Sequence, residues 1–286
     1  MSDSNPFQFS VSEFTTNPWT FEQDVAAYGR LGVDAIEVCE VKLDPSRLQE
    51  QLALIPRYGL TISSVQPAVR TLFPSRSQPE PLHVPDRLKR FRTTIASLGE
   101  RAAGLPFITN TGIPPGGNMQ EVVDTAARSY RDLADFAASH GARVALEPLN
   151  AAIMNTETAI WTVEQALHIV TAVDRSNFGI CLDFWNIWQN AGLEQTIRAA
   201  GDRIFIVQVS DWRTPRSFDD RLIVGQGEIP FPPLLRAVRS SGYQGPYELE
   251  IFSQDVPDSL WEGDLERVIT ESRGGLLRAW REAFPE

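Results

Sequence analysis

The sequence predicts a (β/α)8 barrel, an α/β fold in which residues 1–286 form one domain. Three observations point to it. Short β-rich segments alternate with longer amphipathic ones eight times. Five of the helical segments stop at a glycine, and four of the strands that follow start within a few residues. The strands are nearly continuous in Val, Ile, Leu and Phe, as parallel strands covered on both faces must be.

The elements follow in order. Strand Phe7–Val11 leads to a helix over Trp19–Leu31, opened by Pro18 and closed by Gly32. Strand Ala35–Val41 precedes a helix over Pro45–Tyr58 that ends at Gly59. Strand Thr61–Val65 runs into the Pro-rich stretch Pro74–Pro85 and then a helix over Asp86–Ala103, stopped by Gly104. Strand Phe107–Asn110 is followed by Asn118–His140 and Gly141, and strand Arg143–Leu146 by the helix Val163–Val173. Strand Phe178–Leu182 precedes Leu193–Ala200 and Gly201. Strand Ile204–Val209 precedes Phe231–Ser241, and strand Tyr247–Phe252 precedes Leu265–Ala283. Glycine accepts the left-handed conformation that ends a helix, while Pro and Asn, Asp or Ser open one. The competing fold, an open doubly wound sheet, usually shows a Gly-rich phosphate loop after its first strand. Here that strand runs into Ser12-Glu13-Phe14-Thr15-Thr16, without glycine. The long segments 74–85 and 213–229 both follow strands, which puts them over the C-terminal mouth where barrel sites lie.

Composition narrows the function. Lys+Arg 26 against Asp+Glu 37 leaves a net charge of −11, which argues against a nucleic-acid partner. Hydrophobic residues at 42% and charged residues at 22% fit a globular chain. No apolar run reaches the ~20 residues that span a bilayer. Met1–Pro6 has neither a basic nor an apolar segment, and Cys39 and Cys181 lie in apolar runs. The expectation is a cytoplasmic protein with two reduced, buried thiols and no membrane partner. Three histidines make multi-imidazole chemistry a poor fit.

The strand ends carry the chemistry. Strand 5 ends at Glu147, strand 6 at Asp183 and strand 7 near Gln208, while strand 8 carries Glu248 and Glu250. Converging carboxylates repel and resist burial unless a cation joins them. Three carboxylates and an amide oxygen form an all-oxygen set that suits Mn2+ or Mg2+. Glu250 is nearer the mouth than Glu248, which shares its face one layer deeper.

These residues resemble a known family. Glu147-Pro148-Leu149-Asn150, the Asp183 strand end, Val209-Ser210-Asp211-Trp212, Gly225-Gln226-Gly227-Glu228-Ile229-Pro230 and the closing 242–253 segment are similar to the xylose isomerase-like TIM-barrel superfamily of sugar phosphate isomerases and epimerases. Ketose 3-epimerases, inosose isomerases and dehydratases, 3-dehydroshikimate dehydratases and C-glycoside deglycosidases belong to it. The resemblance implies metal ligands at Glu147, Asp183, Gln208 and Glu250, with Glu147 and Glu250 also the acid/base pair. Two positions depart from the usual pattern: Gln208 and Asn186 stand where His is common. Gln at the first is similar to the dehydroshikimate dehydratase branch.

The implied chemistry is proton transfer next to a carbonyl through an enediolate, giving a metal-dependent isomerase or epimerase of a small polyhydroxy carbonyl compound. A lyase on the same scaffold, a dehydratase or a 3-oxo-glycoside cleaving enzyme, is the alternative, and a non-catalytic sugar-binding barrel is another. Lys42, Arg70, Trp185, Asn186, Trp212 and Arg213 are the expected substrate contacts, placed at strand ends or in the loops that follow. A homo-oligomer or a partner subunit stays open.

Overall fold

The computed structural model describes residues 6–114, 116 and 118–285. Eight parallel strands close into a barrel, each hydrogen-bonded to the next and the last to the first. They are β1 (Phe9–Ser12), β2 (Ala35–Cys39), β3 (Thr61–Gln66), β4 (Pro106–Thr109), β5 (Arg143–Leu146), β6 (Phe178–Asp183), β7 (Ile204–Val209) and β8 (Tyr247–Leu249). The helices are α1 (Phe21–Arg30), α2 (Leu48–Leu52), α3 (Leu54–Arg57), α4 (Val84–Ser97), α5 (Met119–Ala138), α6 (Val163–Val173), α7 (Phe184–Ile187), α8 (Leu193–Ala200), α9 (Phe231–Ser240) and α10 (Leu265–Ala283). All eight expected strands and their helices are present, with differences at the ends that have local causes. Thr20 and Gln23 form a reciprocal capping box, so α1 starts two residues later than Trp19. The helix expected over 45–58 is two short ones, because Pro56 has no N–H to continue the ladder. α4 stops at Ser97 and a 3-10 turn follows, since Gly99 has φ +56. No described helix is long and apolar enough to cross a membrane.

Strand side chains alternate between two environments. Val144, Leu146, Ile180, Leu182, Val207, Val209, Tyr247 and Leu249 join the large core under the helices. Ile108, Ala145, Cys181, Phe205 and Ile206 form a small apolar cluster of their own. The same alternation puts Asn110, Glu147, Asp183 and Glu250 on the inner face at the C-terminal mouth. Both cysteines are buried and free. Over the mouth, Asp219–Asp220 and Ser253–Gln254 pair as a short antiparallel ribbon that joins the loops after β7 and β8.

Candidate active site

Glu147, Asp183 and Glu250 are each buried, and one carboxylate oxygen from each lies within 4.8 Å of the others. Their surroundings fix them. Asn110 Nδ2 donates to Glu147 Oε2 at 2.9 Å, and Asn186 Nδ2 donates to Glu147 Oε1 at 2.9 Å and to Asp183 Oδ2 at 2.8 Å. Asn186 is itself held by Asn150, whose backbone N–H donates to Asn186 Oδ1 at 2.9 Å. Asp183 Oδ1 caps α7, accepting from the Trp185 N–H at 3.0 Å. Arg221 Nη1 reaches Asp183 Oδ2 at 2.8 Å and Glu250 Oε2 at 3.0 Å. Its guanidinium lies between the rings of Trp185 and Phe252, each centroid 4.9 Å away.

Asp211 delivers Arg221 to this place. Its carboxylate accepts from the backbone N–H groups of Trp212, Gly225, Gly227 and Ile229 at 2.8–3.0 Å. The loop after β7 is thereby folded back on its own base. A side chain at position 227 would meet the Trp212 carbonyl at 2.4 Å, which is why glycine stands there.

Burial dominates the electrostatics. It raises the Glu147 carboxyl to about 7, helped by the nearby Asp183 charge and opposed by Asn110, Arg221 and Arg70. Burial lifts Glu250 well above the usual carboxylate range, with Arg221 pulling down and Glu147 and Asp183 pushing up. Asp183 is raised by burial against the pull of Arg221.

Glu147 and Glu250, with Asp183 buried behind them, face a cavity of about 230 Å3 lined by Arg70, Asn110, Asn186, Asp219, Arg221 and, among others, the aromatic rings of Phe14, Trp185 and Phe252. Of the expected substrate contacts, Arg70, Trp185 and Asn186 line it. Three others have different surroundings. Lys42 Nζ is tied to Asp24 Oδ2 at 2.7 Å and to the Thr16 carbonyl at 2.8 Å, in a closed pocket of packing. Trp212 packs on Trp188, centroids 5.0 Å apart. Arg213 pairs with Asp220 at 2.7 Å and with Asp258 at 3.3 Å. None of the three is in the cavity lining.

Gln208 was expected beside the triad, but its hydrogen bonds run one layer deeper. Its Nε2 donates to Glu248 Oε1 at 3.1 Å and to Glu37 Oε1 at 3.5 Å, and its Oε1 accepts from Cys181 Sγ at 3.3 Å. Glu248 also accepts from Ser10, Ser63 and Ser64, so neutral hydroxyls surround it. Two site residues carry no mark of their own in the sequence. Asn110 is only a strand end, and Arg221 is one of three arginines in the segment 213–229. The Gly225–Pro230 segment was the available signal for Arg221, because it closes the loop that carries it.

A closed parallel barrel with a carboxylate cluster on the ends of β5, β6 and β8 defines a class: (β/α)8 proteins with an acidic centre at the C-terminal mouth. The chain belongs to the Xylose isomerase-like TIM barrel family, whose sequence profile matches residues 25–274. It is 27% identical over 240 residues to an inosose isomerase of Bacillus velezensis, covering 81% of this chain and 83% of that protein. An L-ribulose 3-epimerase of Methylomonas sp. is 27% identical over 243 residues, covering 82% and 79%. A 3-dehydroshikimate dehydratase of Pseudomonas aeruginosa is 33% identical over 138 residues, 44% of this chain and 20% of that protein. The solved structure of IOLI protein with a bound zinc atom superposes with a TM-score of 0.79 at 20% identity, covering 98% of this chain and 100% of that one. At that identity the likeness is one of fold.

Proposed function

We propose that the protein is a divalent-metal-dependent isomerase or epimerase of a small polyhydroxy carbonyl compound. The observation that carries the reading is the Glu147–Asp183–Glu250 cluster, of which Glu147 and Glu250 line one cavity. The donor set fits a dication. With all three ionised, the carboxylates would exceed the one guanidinium by two negative charges, which a dication would balance, and every donor is a hard oxygen. Glu147, Asp183 and Glu250 are the residues that would hold the ion, with Mn2+ or Mg2+ the suited metals. Gln208 joins them only if its amide turns from Glu248. A cation bound there would polarise a substrate carbonyl and stabilise the negative charge that grows on its oxygen.

The chain's own groups account for the proton movements. Glu147, with a value near 7, is suited to take a proton from the carbon beside the carbonyl and to return it. Asn110 and Asn186 hold its two oxygens and so set its direction of attack. Glu250, held by Arg221, supplies the second carboxyl across the mouth. Return of the proton to the opposite face gives an epimer, and return to the neighbouring carbon gives an isomer. The cavity wall suits a ligand rich in hydroxyls. Gln66 Oε1 and Trp185 Nε1 are buried there without a hydrogen-bond partner among the described residues. The inosose isomerase and ribulose epimerase relatives support the reading.

Elimination on the same scaffold is the second reading, favoured by the dehydratase relative. Loss of a β-hydroxyl after the same proton abstraction would then follow. The test is incubation with inososes, ketopentoses, ketohexoses and 3-oxo-glycosides in D2O with Mn2+. Deuterium at the carbon next to the carbonyl, with unchanged heavy-atom composition, is the expected result. A new double bond or a released group decides for the lyase. Retained exchange in both Glu147→Gln and Glu250→Gln would overturn the assignment of roles.

A further inference from the structure

Taking the cavity as the substrate site, we infer that the substrate carries a carboxylate and that Arg70 receives it.

Two arginines line the cavity, and they differ in their commitments. Arg221 is bound to Asp183 and Glu250 and enclosed by two rings. Arg70 makes no ion pair and no side-chain hydrogen bond among the described residues. The acidic groups nearby do not serve it. Glu157 is taken by Ser75, which donates at 2.8 Å, and by the Ser77 N–H at 2.9 Å. Asp219 feels the charge of both arginines, yet lies within ion-pair distance of neither. A guanidinium kept for structure normally finds a carboxylate or a carbonyl. This one faces open cavity.

Arg70 is also held in place. The Phe14 ring lies 5.6 Å below its guanidinium carbon, which covers one face and leaves the N–H edge for a ligand. Its backbone N–H donates to Gln78 Oε1 at 3.0 Å. Its carbonyl accepts from the Asn110 N–H at 3.0 Å and from Thr109 Oγ1 at 2.7 Å. Asn110 is the residue that also holds Glu147, so the free cation and the proposed base hang on one frame. A planar guanidinium edge matches the two oxygens of a carboxylate. A phosphoryl group, with its greater charge, is usually met by backbone N–H cradles or several cations, and a lone arginine offers neither.

The test uses the full chain loaded with Mn2+ and pairs of probes with the same ring and different charge. Quinate, shikimate and glucuronate are titrated calorimetrically beside their methyl esters. At least one acid should bind tenfold or more tightly than its ester. Arg70→Met should bring that acid to the affinity of the ester while Mn2+ affinity stays as it was, and Arg70→Lys should keep part of the gap. The inference is overturned if no acid outbinds its ester or if the gap survives in Arg70→Met. It is overturned too if inorganic phosphate displaces the acid at equal concentration. Acid preference without deuterium exchange into any substrate would sink the proposed reaction and leave the Arg70 assignment standing.

Discussion

Two groups of buried carboxylates stand near the mouth of this barrel, each with one cation, and they differ in what surrounds them. Glu147, Asp183 and Glu250 cluster beside Arg221, which pairs with Asp183 and Glu250, while Glu147 and Glu250 line a cavity. Glu13 and Asp24 share the neighbourhood of Lys42 and contribute nothing to the cavity lining. In the second group Lys42 neutralises Asp24. Burial, followed by the Asp24 charge, lifts Glu13 well above the carboxylate range. A neutral Glu13 beside a Lys42–Asp24 pair is an electrically closed unit. The first group has one more acid for the same single cation, and two of its acids, Glu147 and Glu250, line a cavity that a ligand can reach. Residue type and depth are alike in both. The number of acids per cation and access separate the two groups.

Experiments that remove one partner at a time put that contrast under strain. The largest effect is expected at the base. Glu147→Gln should slow deuterium exchange by about 10²–10⁴-fold, read by NMR, with Mn2+ present. A loss of less than tenfold would erase the distinction between the two groups. In the closed unit, Lys42→Met should cost about 3–5 kcal/mol in urea unfolding, because it strands a buried carboxylate. Mn2+ affinity of the fraction that remains folded should not change, and a change would show the units to be linked.

Next comes the ion. Mn2+ at a hundredfold excess over its Kd should add about 2.7 kcal/mol of stability. Asp183→Asn should abolish the gain and Asp24→Asn should leave it. The effect of pH carries a definite sign. Glu147 holds its proton in the folded chain up to about pH 7 and loses it in the unfolded chain near its ordinary 4.5. The metal-stripped protein should therefore lose stability as pH rises from about 4.5 to 7. Glu147→Gln should flatten that part of the curve in chemical denaturation, and a slope unchanged by the substitution would remove Glu147 as its source. The smallest effect is expected at Arg213. Arg213→Ala breaks a pair that is partly in solvent, so less than ~1 kcal/mol should be lost and exchange kept. A large loss of exchange would bring that arginine back into the site.

The barrel was legible because parallel strands must be apolar on both faces and helices must be punctuated. Both demands act over a few residues and leave marks that a reader can count. Glu147, Asp183 and Glu250 were legible for a related reason. A carboxylate at the end of a buried strand is conspicuous against Val, Leu and Ile. Lys42 looked equally promising at the end of β2. Its partner Asp24 lies on α1, and only the packing of α1 on the barrel brings them together. Gln208 occupies the expected strand position, but the deeper Glu248 and Glu37 direct its amide. Arg221 depends on the path of a long loop, which no local pattern reveals.

Asp211 has a consequence for how such a barrel changes over time. One carboxylate ties both ends of the loop after β7, so the loop behaves as a cassette clipped at its base. The stretch between Arg213 and Phe218 lies inside the clip. Insertions or exchanges there can remodel the rim while Arg221 stays over the acidic centre. The rim can then change shape while the acidic cluster beneath it keeps its geometry.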